Sequence, residues 1–261
     1  MSEREEKIAV LELAMEAGRL LLENGAEIFR VDETMERICR HYGVTSANFF
    51  VVSNGIFVSA GSMDEPLFAK VQHLPVQSGR LDWVCAVNQL SREIESGKYT
   101  VEEAREVLEE IRRMPGKSNR ALVIAGGLGA AMFCQMFGGC LSDSAVAFCV
   151  GVVLQLYMVY VVGRHVGKLV GTLGGGALIT CLCIILYRLE IGQNLSHLII
   201  STVMLLVPGL AFVNGIRDLA NTDYLSGAVR ILDALLRFAF IAIGVGLVFI
   251  IYHRVFGGRY I

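Results

Sequence analysis

Charge is scarce in the second part of this chain. Of its 48 lysine, arginine, aspartate and glutamate residues, 34 lie within positions 1–119, and only 14 are spread over the remaining 142 positions. Neither part shows the clustered face of lysine and arginine that is typical of nucleic-acid binding, so we expect no nucleic-acid partner. The two parts are suited to different solvents, which predicts a domain at 1–119 and a second domain at 120–261.

The motifs of soluble metal and redox chemistry are also missing. The seven cysteines form no CxxC pair and the five histidines match no HExxH spacing, so we predict no metal site, no disulfide framework and no cofactor. No Ser/His/Asp or Cys/His catalytic motif is recognisable, so no catalytic residue is predicted. The N-terminal sequence MSEREEKIAV lacks the apolar segment of a removable signal peptide. We therefore expect the start of the chain to stay in the cytoplasm.

Long uncharged runs are what the second part contains. Each is close to the roughly 20 apolar residues that a membrane-spanning helix needs, and together they predict a multi-pass α-helical membrane protein. The five predicted spans are approximately Ala121–Gly139, Ser144–Gly163, Leu169–Tyr187, Ser196–Val213 and Ile231–Tyr252. Because cytoplasmic segments are enriched in Lys and Arg, the distribution of basic residues favours a cytoplasmic N-terminus. Five spans then leave the C-terminus outside.

The first 119 residues predict a cytoplasmic α+β domain. Helical periodicity covers Ile8–Glu23 and Ile28–His41. Two apolar runs flank Ser53-Asn54-Gly55, a strong signal for a β-hairpin. Leu67–Leu74 alternates well enough for a third strand. Two more helices follow, one over LDWVCAVNQLSREIESG and one that begins with the capping-box pair Thr100 and Glu103.

The stretch LLVPGLAFVNGIRDL contains a helix breaker inside an apolar run. Pro208 cannot donate an amide hydrogen bond, so the helix is predicted to break at Pro208-Gly209 and to free backbone carbonyls. Such carbonyls are tolerated in a membrane only where protein or water satisfies them. Beyond the break, Asn214, Arg217, Asp218 and Asn221 fall on one helical face, which is typical of a polar cavity in a transporter. An ordinary proline kink followed by a cytoplasmic loop is the alternative.

Other features of the membrane part allow a functional or a structural interpretation. Asp143 lies at the outer end of the first predicted span, where an ionisable group marks either a transport pathway or a solvated anchor. A set of glycines recurs every four residues and favours close helix packing, namely Gly163, Gly167, Gly171 and Gly175.

Several separated segments carry a family resemblance. VPGLAFVNGIRDLANTDYLSGAVR (residues 207–230) resembles the signature of the threonine/serine exporter family, and NGAEIFRVDETMERICRHYG (residues 24–43) is similar to its N-terminal motif. VNQLSREIESGKYTVEEA and FGGCLSD match in order as well. The resemblance implies a proton-driven exporter of small polar metabolites in the bacterial inner membrane. It further implies the larger subunit of a split, YjjP-like arrangement, whose small YjjB-like membrane subunit is a separate chain.

For such an exporter, the substrates that the resemblance implies are threonine and serine, or a dicarboxylate such as succinate. Arg217 is then the expected partner of the substrate carboxylate, because a guanidinium binds carboxylates through two hydrogen bonds, with Asn214, Pro208 and Gly209 beside it. Asp143, Asp218 and Asp223 are the proton-coupling candidates. The alternatives are a membrane-anchored enzyme or a sensor, in which the N-terminal domain acts on a small substrate.

Overall fold

The computed structural model describes residues 3–61, 66–74, 79–162 and 166–256. It divides into two units, each with its own packing. The first consists of Met1–Pro115 together with Leu210–Leu232, and the second of Gly116–Gly209 together with Asp233–Ile261. The predicted boundary after residue 119 stays a prediction, and the first unit also contains the segment Leu210–Leu232.

The first unit has an α+β fold. Its elements are α1 (Glu3–Glu23), α2 (Ile28–His41), β1 (Ala47–Val52), β2 (Gly55–Gly61), β3 (Pro66–His73), α3 (Leu81–Glu95) and α4 (Val101–Arg113). The strands form one antiparallel sheet in the order β1-β2-β3. Val52 pairs with Gly55 across a two-residue turn, so the predicted hairpin is confirmed. The predicted capping box is confirmed too, since Thr100 and Glu103 exchange hydrogen bonds at the start of α4.

Helix α1 forms the centre of the core of this unit. Its buried residues include Leu11, Met15 and Leu21, and the inward-facing Ile56 and Val58 of β2 belong to the same apolar cluster. A methyl group at Gly18 would overlap the side chain of Met35 on α2. Gly18 therefore leaves room for Met35 where α1 and α2 pack together.

The second unit is helical. It contains α5 (Asn119–Met136), α6 (Leu141–Tyr157) with a π-helical continuation (Met158–Val162), α7 (Lys168–Arg188) and α8 (Leu195–Val203). Helix α9 (Gly209–Ala220) follows in the chain and lies in the first unit. Helix α10 (Tyr224–Phe256) contributes its residues up to Leu232 to the first unit and the rest to the second.

Three helices of the described residues are long and apolar enough to cross a membrane. They are Leu141–Val162, Lys168–Arg188 and Tyr224–Val255. Only 17% of the apolar window of Tyr224–Val255 is buried within the chain, and so much exposed apolar surface is suited to lipid. The first predicted span corresponds to α5, which begins with Asn119 and Arg120 and falls outside this set. The fourth, Ser196–Val213, covers α8, the break and the first residues of α9.

Glycines pack the helices of the second unit, and two of them, Gly171 and Gly175, were named from the sequence. A methyl group at Gly171 would overlap Val162, and one at Gly175 would lie 3.1 Å from Leu206. Gly167 precedes α7 as its N-cap and has nothing within 4 Å of the methyl position, so the structure shows no close helix packing at this glycine. Gly163 lies outside the described residues.

The closest backbone approaches involve other glycines. At Gly176 a methyl group would lie 2.8 Å from the carbonyl oxygen of Ile241, and at Gly244 it would overlap the carbonyl oxygen of Leu173. Helices α7 and α10 therefore cross with backbone against backbone. A spacing of four in sequence does not reveal this pair, because the two glycines lie on different helices.

Candidate functional site

The predicted break at Pro208 is confirmed. Helix α8 ends at Val203 and α9 begins at Gly209. Between them the chain makes tight turns, with the N–H of Leu206 donating to the carbonyl of Val203 at 2.8 Å and the N–H of Gly209 donating to that of Val207 at 2.9 Å. Because Pro208 donates no hydrogen bond, the chain can change direction at this point and start a new helix.

Helix α9 presents a buried polar face. Asn214 and Asp218, one turn apart, are both buried. The Asn214 side-chain amide donates to the carbonyl of Gly25 at 2.9 Å, and the backbone N–H of Ile28 donates to Asp218 Oδ1 at 3.1 Å. The polar face therefore contacts the turn between α1 and α2. We call this contact, formed by residues 24–28 with Asn214, Arg217, Asp218 and Arg230, the docking junction.

Asp218 completes the N-terminus of α2. The first N–H groups of a helix have no partner within the helix, and a carboxylate beside them is favoured by the helix dipole. The N-cap residue Glu27 makes no side-chain capping hydrogen bond. Asp218 supplies that acceptor from a distant part of the chain, since it accepts from Ile28, the first residue of α2.

Arg230 bridges both sides of the junction. Its guanidinium donates to the carbonyl of Ala26 at 2.8 Å and lies 3.2 Å from Asp218 Oδ2. Both partners are withdrawn from water, with side-chain exposures of 10% for Arg230 and 0% for Asp218. A buried ion pair of this kind holds its geometry firmly, because separating the charges leaves each of them uncompensated.

A second ion pair lies at the edge of the junction. Glu27 contacts Arg217 and also Arg30, the latter at 3.0 Å. The Glu27 side chain is 7% exposed, whereas that of Arg217 is 60% exposed. Burial raises the pKa of Glu27, but the hydrogen bonds and charges of the two arginines outweigh it and hold the pKa below its usual value. Glu27 is therefore an ionised carboxylate.

Three aspartates of this region have raised pKa values. Burial raises the pKa of Asp218, against the opposing charge of Arg230 and the hydrogen bond from Ile28. Burial raises that of Asp32 to about 6, and the negative charges of Glu36 and Asp223 add to the effect. Asp223 is shifted in the same direction by burial, with the charge of Arg230 acting against it. These carboxyl groups bind protons more readily than free aspartates do.

Asp143 has a different environment in the second unit. It lies at the start of α6 and is 1% exposed. Its Oδ1 accepts the backbone N–H of Gln193 at 2.6 Å and that of Asn194 at 3.4 Å. The Asp143 side chain thus holds the loop that precedes α8 by hydrogen bonds. This arrangement favours a structural role for Asp143.

The structure brings some of the predicted site residues together and separates others. Asn214, Arg217 and Asp218 meet in the docking junction, whereas Asp143 belongs to the other unit. Sequence reasoning missed Glu27 and Arg230, although both lie in the two segments that carry the family resemblance. Oppositely charged residues in both segments, residues 24–43 and 207–230, were the signal that could have indicated a contact between them. Within the described ranges, no group of three or more His, Cys, Asp or Glu side chains could hold a metal ion.

The fold defines a class: a mostly helical protein with three candidate membrane spans and an N-terminal unit that contains a small three-stranded sheet. Residues 12–252 match the family described as "Putative threonine/serine exporter", and the chain belongs to this threonine/serine exporter family. A protein of Mycobacterium tuberculosis named "Probable threonine/serine exporter" is 24% identical over 248 residues. The alignment covers 90% of this chain and 45% of that protein, so the chain spans about half the length of its relative. No solved structure matches the chain.

Proposed function

We propose that the chain is part of a proton-coupled exporter of small polar metabolites that carry a carboxylate. The candidate substrates are threonine and serine, or a dicarboxylate such as succinate. The observation that carries this proposal is the family match over residues 12–252, which includes two of the three helices that are long and apolar enough to cross a membrane in full and the third, Tyr224–Val255, up to residue 252. The family description and the name of the mycobacterial relative support threonine and serine as candidates, and succinate comes from the resemblance to the split members of the family.

The proposed location is the inner membrane of a bacterium, with the N-terminal unit in the cytoplasm. In this arrangement α5 and the segment Ser196–Val213, which runs from α8 into the first residues of α9, accompany the three long helices, which gives five membrane segments. Supporting features of α5 are its exposed apolar side chains Ile124, Leu128 and Met132. The cytoplasmic assignment of the N-terminal unit rests on the basic residues at its boundary, which include Arg112, Arg113, Lys117 and Arg120.

Residue roles follow from charge and exposure. Arg217 is the proposed partner of the substrate carboxylate, because its side chain is 60% exposed and its guanidinium has more donors than Glu27 occupies. Asp218 and Asp223 are proposed to bind the coupled proton, since burial raises the pKa of both. Substrate binding at Arg217 would leave Glu27 with Arg30 as its remaining partner.

A separate small membrane subunit, of the YjjB-like type that the resemblance implies, is proposed to complete the exporter. In support, 55% of the mycobacterial relative lies outside the aligned part, so that protein holds residues with no counterpart in the alignment. The lipid bilayer surrounds both subunits in this proposal.

Efflux from preloaded cells tests the proposal. Cells that lack endogenous exporters of the family are loaded with labelled threonine, serine or succinate, and the loss of label is followed with this chain, with the small subunit, and with both. We expect efflux that needs both chains and that stops when a protonophore collapses the proton gradient. Efflux equal to that of empty cells for all three compounds would contradict the substrate assignment, and full efflux by this chain alone would contradict the need for a subunit.

A further inference from the structure

An apolar groove lies on the surface of the second unit, between α7 and α10. Its volume is about 680 Å³, and the described residues that line it are mostly aliphatic. Ile184 within it is buried, whereas Ile185, Leu189 and Ile251 are exposed. Both helices belong to the set that is long and apolar enough to cross a membrane. The exposed aliphatic side chains suit the groove to contact with lipid.

Arg188 and Tyr252 lie together at one end of the groove. Arg188 is the last residue of the candidate span Lys168–Arg188, and Tyr252 lies near the end of Tyr224–Val255. Arg188 Nε donates a hydrogen bond to the Tyr252 hydroxyl at 2.7 Å, and its guanidinium carbon lies 5.5 Å from the centre of the Tyr252 ring. Tyrosine and arginine at the ends of spanning helices lie at the level of the lipid headgroups. The pair therefore marks the end of the groove that meets the headgroups.

Arg188 has no acidic partner among the described residues. It forms no ion pair with any of their carboxylates, and this includes Glu190, two positions along the chain. Its guanidinium has more N–H donors than the Tyr252 hydroxyl occupies, and a guanidinium binds phosphate through two parallel hydrogen bonds. The groove thus combines an aliphatic surface with a cation whose donors are available to a phosphate.

The length of the groove fits one leaflet of a bilayer. Along α7 its lining extends from Cys181 to Arg188, which is about 10 Å at the rise of an α-helix. The hydrocarbon of one leaflet is about 15 Å thick. An acyl chain that lies in the groove therefore places its headgroup at Arg188.

We propose that this groove binds an anionic glycerophospholipid, with an acyl chain along the aliphatic side chains of α7 and α10 and the phosphate at Arg188. The negative headgroup supplies the countercharge that Arg188 lacks, and Tyr252 holds the guanidinium at the end of the groove. Basic pockets between membrane helices bind acidic headgroups in the same way. The proposal needs the membrane location of the chain, but not the substrate or the partner subunit of the exporter.

A packed helix fits this groove less well than an acyl chain does. Helices in membranes pack closely where small residues face each other. Helices α7 and α10 use Gly176 and Gly244 in this way against each other, whereas no glycine lines the groove in the part that the structure describes. The branched side chains of Ile184, Ile185 and Ile251 leave an uneven surface, which a flexible chain fills more easily than a helix.

Native mass spectrometry of the full chain in detergent tests the proposal. The purified chain is titrated with phosphatidylglycerol or with phosphatidylcholine of the same acyl chains, and the bound lipid is counted. We expect wild type to prefer phosphatidylglycerol. Arg188→Gln should lose about ten- to hundredfold in affinity for it, which is the factor that corresponds to one lost charge-assisted hydrogen bond. Arg254→Gln is the matched control and should bind like wild type, because Arg254 is exposed near the end of α10 but does not line the groove.

A second pair of variants tests the apolar part of the groove. Ile251→Trp fills the groove and should weaken the binding of phosphatidylglycerol. Ile250→Trp adds the same bulk at a similarly exposed residue that does not line the groove, and it should leave binding unchanged. This pair decides the question even if Arg188→Gln does not fold. Glycerol 3-phosphate, which has the phosphate but no acyl chain, should not displace the lipid at the same concentration.

Equal binding of the two lipids by wild type would overturn the proposal, as would an unchanged affinity in either Arg188→Gln or Ile251→Trp. Displacement of the lipid by glycerol 3-phosphate would make the site one for free phosphate compounds and would also overturn it. If Ile251→Trp instead changes the number of chains in the particle, the groove is covered by a second copy and the proposal is wrong. The readout is lipid binding and not efflux, so its failure is separate from a failure of the proposed function.

Discussion

Asp218 accepts a hydrogen bond at 3.1 Å from the backbone N–H of Ile28, across 190 positions of sequence. This contact explains why a charged residue follows the apolar run around Pro208. In the structure Asp218 caps helix α2 and pairs with Arg230. The polar face of α9 therefore binds the turn between α1 and α2 within the first unit, and Arg217 at its edge remains exposed.

Loss of Arg230 should destabilise the chain strongly. Arg230→Met keeps the size of the side chain but leaves Asp218 buried without a countercharge, which costs about 3–5 kcal/mol. We expect a clear fall in the thermal unfolding temperature of the purified chain in detergent. The double variant Asp218→Asn with Arg230→Met should regain part of the loss, because it leaves no unpaired charge.

Arg237→Met is the matched control for that substitution. Arg237 also pairs with an aspartate, Asp233 at 2.6 Å, but the two side chains are 26% and 44% exposed. This pair is less buried than that of Arg230 and Asp218, so its loss should cost less. Equal losses of unfolding temperature in Arg230→Met and Arg237→Met would mean that burial of the Asp218 pair adds nothing.

Features set by neighbouring residues were predictable from the sequence. The hairpin turn at Ser53-Asn54, the capping box at Thr100 and the break at Pro208 each depend on a few adjacent positions and are confirmed. Helix α2 was predicted with its observed bounds, Ile28–His41, because its apolar periodicity is regular and Gly43 follows it. Local backbone preferences decide these features before tertiary packing acts.

The docking junction was not predictable in the same way. Nothing in the polar pattern of α9 distinguishes a face that lines water from one that binds backbone groups 189 or 190 positions away. Asn214 and Asp218 were placed correctly on one face, but their partners are the carbonyl of Gly25 and the N–H of Ile28, which carry no side-chain signal. Contacts between backbone groups that are distant in sequence can be identified only once the fold is known.

The crossing of α7 and α10 gives a prediction that uses two nearby glycines. Gly244→Ala should lower the unfolding temperature, because the added methyl group would overlap the carbonyl oxygen of Leu173 and would lie 3.1 Å from the backbone nitrogen of Ala177. Gly246→Ala meets nothing within 4 Å. Since alanine is about 1 kcal/mol better than glycine in a helix, Gly246→Ala should be neutral or stabilising. Similar effects of both substitutions would contradict the close crossing.

At position 143, removing the charge should disturb the protein less than removing the side-chain oxygen that accepts hydrogen bonds. Asp143→Asn keeps a carbonyl oxygen for the N–H groups of Gln193 and Asn194, whereas Asp143→Ala leaves them unpaired at a cost of about 1–3 kcal/mol. We expect Asp143→Asn to export and Asp143→Ala to unfold at a lower temperature. If Asp143 carries the coupled proton instead, Asp143→Asn will fold normally and lose efflux.

Arg217 gives the sharpest test of the proposed substrate site. If Arg217 binds the substrate carboxylate, Arg217→Lys should impair efflux although the charge is kept, because lysine cannot form the two parallel hydrogen bonds of a guanidinium. A lost charge-assisted hydrogen bond costs about 1.5–3 kcal/mol, so apparent affinity should fall by about one to two orders of magnitude. The unfolding temperature should change little, since the Arg217 side chain is 60% exposed.

Arg30→Lys is the control, because Arg30 pairs with the same carboxylate, Glu27, and its side chain is 47% exposed. A lysine there keeps an ion pair with Glu27, so efflux should stay at the wild-type level if Arg217 alone contacts the substrate. Efflux is measured from preloaded cells at matched membrane expression over a range of internal substrate concentrations. Wild-type affinity in Arg217→Lys would assign Arg217 to the docking junction as a partner of Glu27, because an ion pair of that kind needs the charge and not the shape of the guanidinium.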